Sequence, residues 1–135
     1  MTRSSMSRLL VAALCVLLVA SCGGETKTGV EFGEGSLPDG WPESFPIPAN
    51  AVIGSTLIDY DSGRLEAEFR VSAPLETLAQ YFDLNLTNSG YAVDSSSGDS
   101  STWTIEFRSD DDSGNVVIQS FGEVSSAVVR ILGDG

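Results

Sequence analysis

The chain predicts an α+β fold: an antiparallel-dominated sheet of five to six strands with one helix packed on one face, in the order ββαββββ. Two observations carry that prediction. Residues 65–71 (LEAEFRV) and 102–108 (TWTIEFR) alternate apolar and polar side chains without a break, the period-two mark of strands with one buried and one wet face. Leu75, Leu78, Ala79, Phe82 and Leu86 instead recur at helical spacing, which gathers them on one side of a helix. One such helix among several half-buried strands has its natural place on the apolar face of their sheet.

The elements follow in order. Residues 52–59 (VIGSTLID) are β-branched and aliphatic and make a first strand; residues 59–63 (DYDSG) supply turn chemistry, so this strand and 65–71 form a hairpin. The helix runs over 74–89. Pro74 suits its first turn, where a missing N–H costs nothing, Glu76 favours the helix dipole, and Gly90 is a good stop. Asn85-Leu86-Thr87 matches a glycosylation acceptor by chance. Residues 91–94, 102–108, 116–121 and 127–132 complete the strands, the last two joined by Gly122-Glu123. Phe69, Phe82, Trp103 and Phe107 should be buried between helix and sheet, while Glu66, Arg70, Thr104 and Glu106 face water or a partner. Beyond the serine-rich run 95–101 there is no low-complexity tract, and there is no internal repeat.

Two segments precede this body. In residues 41–51 (WPESFPIPANA) three prolines hold the chain extended, with Trp41, Phe45 and Ile47 near one side. This reads as a lead-in strapped onto the domain's own core. Residues 22–40 are Gly-rich and charged and read as a flexible tether, spanning about 23 Å if it behaves as a Gly-rich coil. The expected division is 1–21 signal peptide, 22–40 modified cysteine and tether, and 41–135 a single domain.

The beginning of the chain predicts processing. Arg3 and Arg8 precede twelve apolar residues, 9–20, too few to cross a bilayer as a helix, which takes about 20. They end in Val19-Ala20-Ser21-Cys22, which resembles the lipobox of bacterial lipoproteins. The resemblance implies cleavage between Ser21 and Cys22 by signal peptidase II, with lipid on the Cys22 thiol and commonly on its new amino group. Two or three acyl chains make a lasting anchor, since each buried methylene contributes about 0.8 kcal/mol. The implied location is the extracytoplasmic side of the cell membrane. Gly23 in place of an aspartate permits outer-membrane sorting in a two-membrane organism.

Composition narrows the chemistry. The whole chain has a net charge of −12 and no histidine. From Cys22 onward five basic side chains face 19 acidic ones, a net charge of −14. Such a surface repels nucleic acid and anionic headgroups. Cys15 leaves with the signal and Cys22 is blocked, so neither disulfide nor thiol nucleophile is expected. No nucleophile elbow, P-loop, dinucleotide fingerprint or zinc motif occurs. A carboxylate pair hydrolysing glycosides is the enzymatic alternative.

From Trp41 onward the chain also resembles small domains of secreted or lipid-anchored bacterial proteins, through FPIPANA, Tyr81-Phe82 in the helix and Gly90-Tyr91 at its exit. The resemblance implies a fold and a location and no catalytic residues. Two acidic turns share the pattern D-x-D-S-G: Asp59 with Asp61, and Asp110 with Asp112. The strand order sends both to one end of the sheet, where four carboxylates could hold Ca²⁺, a cation wanting six to eight oxygens. Asp, Ser and Gly are equally what turns select for local reasons. Finally, six strands span roughly 24 Å, more than one helix of about 10–12 Å covers. The strap, a curled sheet, a partner or a ligand pocket must cover the remainder. The functional expectation is a lipid-anchored envelope module that binds a small ligand or an envelope protein. An envelope hydrolase and a purely structural accessory subunit are the alternatives.

Overall fold

Residues 26–133 are described by a computed structural model. Among them, β1 (Val30–Glu34), β2 (Val52–Asp59), β3 (Arg64–Val71), β4 (Ala92–Gly98), β5 (Thr102–Arg108), β6 (Asp112–Phe121) and β7 (Val124–Gly133) join in one sheet, and α1 (Leu75–Asn88) is the single helix. Every pairing is antiparallel and the strand order is β1-β2-β3-β7-β6-β5-β4. Two meanders, β1–β3 and β4–β7, are thus linked by α1 and closed against each other where β3 pairs with β7.

The expected class holds, with seven strands instead of five or six. The additional one, β1, lies inside the segment read as a tether. It pairs with β2 from Val30↔Asp59 to Glu34↔Ser55, and all five of its residues are exposed. That explains the misreading. An edge strand held by backbone hydrogen bonds to its neighbour needs no buried face, so hydrophobic periodicity carries no sign of it. β4 is also longer than expected and runs through Ser95–Ser97, with an irregularity between Val93 and Ser95.

Helix α1 forms where the periodicity put it and buries Leu75, Leu78, Ala79, Phe82 and Leu86. Its end is a Schellman motif: Tyr91 N–H donates to the Leu86 carbonyl at 3.0 Å and Gly90 N–H to that of Thr87 at 3.3 Å. The turn requires φ +90° at Gly90, open to glycine at little cost. At the β6–β7 hairpin Gly122 takes φ +79° while Glu123 stays negative, the type II′ turn that matches strand twist.

The helix covers the β4–β7 part of one sheet face. The strap covers the rest. Phe45 is 4% exposed, with its ring 5.6 Å from Phe107, 5.9 Å from Tyr91 and 6.2 Å from Phe82. Trp41 stacks edge-on to Phe45 and Phe69. Ser125, fully buried on β7, donates to the Ala73 carbonyl at 2.7 Å and fastens the entry of α1 to the sheet. Phe69, Phe82 and Phe107 are core residues as expected. Trp103 packs against the core only in part: it is half-buried and forms a wall of a cleft beside Leu75 and Ala79 of the helix. Among the described residues no helix is long and apolar enough to cross a membrane.

Candidate functional site

Both acidic turns do lie at one end of the sheet, after the upward strands β2 and β5. They are not together. β7 lies between the β2–β3 and β5–β6 hairpins, so the centres of the turns are three strand spacings apart, about 14 Å. Each is closed by its own local bonds. Asp59 Oδ1 accepts from the N–H groups of Asp61 (3.0 Å) and Ser62 (3.3 Å), and these donors, the Ser62 side chain first, hold its carboxyl below the usual aspartate range. Asp61 Oδ1 accepts from Gly29 N–H at 3.3 Å and so fastens the start of β1. In the other turn, Ser109 Oγ accepts from Asp111 and Asp112 N–H, and Ser109 N–H donates to the Asp112 carbonyl. Asp110 lies in the same turn. The four-carboxylate calcium site is therefore not assembled. Among the described residues no group of three or more His, Cys, Asp or Glu is placed to hold a metal. Ser21 and Cys22 lie outside the described residues.

A different set of residues does converge. Successive turns of α1 present Leu75, Ala79 and Asp83 along one line, flanked by Glu76 and Gln80. The β4–β5 turn brings Asp99 and Ser100 opposite them, and Trp103 of β5 closes the end. The result is a cleft of about 390 Å³, within the size range of small-molecule sites.

Its walls are held from behind. Trp103 Nε1–H donates to Ser96 Oγ at 2.9 Å, and Ser96 O–H donates to Asp83 Oδ2 at 3.1 Å. The indole is thereby tied to the helix carboxylate across the β4 edge. Asp83 Oδ1 is buried and has no hydrogen-bond partner among the described residues, a cost the fold carries at this spot. Asp99 Oδ1 accepts from Ser101 Oγ (2.7 Å), Ser101 N–H (2.8 Å) and Thr102 N–H (3.0 Å). Those bonds, the Ser101 side chain foremost, lower its pKa and keep it ionised. The cleft thus has an apolar floor of Leu75, Ala79 and Trp103 and is bordered by Glu76, Asp83 and Asp99, with no basic side chain in its lining.

Sequence reasoning missed this site. It read Ser95–Ser101 as low complexity, although Asp99-Ser100-Ser101 has the composition of an Asx turn. Which serine would meet Trp103 depended on the β4–β5 register, and hence on an irregularity that no local pattern announces.

Comparison of the chain with protein families, with curated proteins and with solved structures gave no match.

Proposed function

We propose that this protein is a lipid-anchored module of the bacterial cell envelope that binds a small organic cation in the cleft between α1 and the β4–β5 turn. The Val19-Ala20-Ser21-Cys22 lipobox supports the anchoring. The observation that carries the binding is the make-up of the cleft, in which an aromatic and aliphatic floor is bordered by Glu76, Asp83 and Asp99 with no opposing cation. An amine with an apolar body matches both features: hydrocarbon on Leu75, Ala79 and Trp103, and the ammonium group toward the carboxylates. Glu76 sits in the first turn of α1, where its charge offsets the positive helix end that would otherwise favour anions.

Binding is favoured over hydrolysis on electrostatic grounds. A carboxylate pair that cleaves glycosides needs one acid with a raised pKa. The donors on Asp99 push its pKa the other way.

The test is titration of the purified full chain with 2-phenylethylammonium, 2-phenylethanol and 3-phenylpropanoate, three probes of similar shape and different charge. Calorimetry gives affinity, and the Trp103 indole N–H resonance reports the place. The cation should bind at least about tenfold more tightly than the other two, a difference of about 1.4 kcal/mol. Asp83→Asn should reduce the preference, whereas Glu34→Gln, an exposed acid on β1 at the opposite edge of the sheet from β4, should not. Equal binding of all three would remove the charge selectivity. No perturbation of the Trp103 resonance by any of them would remove the cleft as the site.

A further inference from the structure

Among the described residues, no element covers the second face of the sheet. The helix and the strap both lie on the first face, and the register assigns the uncovered face row by row: Phe32, Leu57, Glu66, Arg130, Asn115 and Glu106 lie side by side across six strands. Of the seven large apolar side chains that are exposed among the described residues, six point from this face: Val30, Phe32, Val52, Phe121, Val124 and Leu132. The seventh, Leu84, is on α1. Exposed apolar residues are ordinary singly, but here they gather on one face, Val30 with Phe32 along β1 and Phe121 opposite Val124, around a polar middle row.

Charge separates this face from the rest of the molecule. All four arginines of the described chain are here by strand alternation, and three are paired locally: Arg70 with Glu68 at 2.9 Å, Arg108 with Asp94 at 2.9 Å and Arg130 with Glu66 at 3.1 Å. The fourth, Arg64, stands opposite Asp59 in the β2–β3 register. The opposite side carries Glu76, Asp83 and Asp99 and no arginine. A strongly acidic molecule thus has its least acidic, partly apolar surface on one face, where four arginines stand among six carboxylates.

We infer that this face is where a second copy of the same chain docks. Two equally acidic bodies repel most through their unbalanced surfaces, and on this face four of six carboxylates, Asp59, Glu66, Glu68 and Asp94, have an arginine beside them within the same copy, leaving Glu34 and Glu106 unmatched. A cationic partner would instead be drawn to the unbalanced helix side. The size is adequate: seven strands of about seven residues, at about 4.8 Å spacing and 3.4 Å rise, offer roughly 700 Å². Two copies would bury about 1,400 Å² together, inside the range of stable interfaces. The surface also has relief to interlock. A hollow of about 450 Å³ lies among Arg70, Gln119, Phe121, Val124 and Val128, and a smaller one of about 130 Å³ lies beside Phe32, Leu57 and Glu66. In a two-fold pairing each copy offers the same patch, so both sets of hollows and side chains are used at once.

The experiment is sedimentation equilibrium of the purified full chain from low to high micromolar concentration, at low and at moderate salt. The expected mass rises toward twice the monomer with concentration. Association tightens on adding salt, because salt screens the net repulsion while the ion pairs at the contact are internal to each copy. Phe121→Glu places a new charge on this face and should weaken association at least about tenfold, with an unchanged urea midpoint at dilutions where both proteins are monomeric. Leu84→Glu, an equally exposed site on the helix side, should leave it unchanged. A monomer at every concentration, or a different protein cross-linked to this face while the chain itself stays monomeric, overturns the inference. So does association that ignores Phe121→Glu, that responds to Leu84→Glu, or that weakens as salt is added.

Discussion

Replacing Phe45 by alanine tests whether the proline-rich strap is part of the core or a cover laid over a finished domain. Phe45 is 4% exposed and its ring meets those of Trp41, Phe82, Tyr91 and Phe107 at centroid distances of 5.5 to 6.2 Å. A buried phenylalanine removes about 150–250 Å² from water, which at about 25 cal/mol per Å² is roughly 4–6 kcal/mol. Residual burial in the unfolded chain makes that an upper bound, and truncations of this kind cost about 3–5 kcal/mol. A domain of this size has only about 5–15 kcal/mol in total. With a urea slope of about 1–3 kcal/mol per molar, the unfolding midpoint should fall by about 2 M. Loss of the edge-on contact to Trp41 should alter that residue's fluorescence in the folded state. Phe32→Ala, on an exposed edge, should stay within about 0.5 kcal/mol of the parent. A cost below about 1 kcal/mol for Phe45→Ala, or a wild-type slope with an unmoved midpoint, would refute the reasoning and make the strap dispensable.

Three further outcomes are expected. The Arg70 guanidinium and the Ser126 hydroxyl hold the Glu68 carboxyl below the ordinary glutamate pKa. A depressed carboxylate gives stability that is fully present above its unfolded value of about 4.3 and is lost as pH falls through the lower folded value. The difference between parent and Glu68→Gln should therefore be constant from neutral pH to about 5 and shrink below that; a difference that grows on acidification would reverse the assignment. Because the hairpin of Asp59 and Asp61 is separated from that of Asp110 and Asp112 by β7, Ca²⁺ and Mg²⁺ at matched ionic strength should shift the melting temperature equally, and a calcium-specific rise would show that the two turns do cooperate. Cys22→Ser should abolish labelling by a fatty-acid analogue, and equal labelling of both forms would end the lipoprotein proposal.

The sequence alone determined what depends on local periodicity and local turn chemistry. The buried face of α1, its stop at Gly90, the β2–β3 and β6–β7 hairpins and the inward set Phe69, Ile105 and Phe107 were all legible, because each is decided within one or two turns of chain. The strap's docking was legible too, from Trp41, Phe45 and Ile47 on one side of a rigid extended ribbon. What the tertiary structure decided is what lies between elements. β1 was hidden because an all-exposed edge strand is specified by its neighbour's free hydrogen bonds and not by its own side chains. The acidic turns were correctly sent to one end of the sheet, but the order of strands put β7 between their hairpins, and no local pattern encodes a strand order closed by pairing β3 with the last strand. The cleft of Asp83, Asp99 and Trp103 depended on where α1 lies over the sheet and on the irregular β4–β5 register. Those quantities arise from the packing of whole elements, which is why the carboxylates that converge are not the ones whose sequence pattern drew attention.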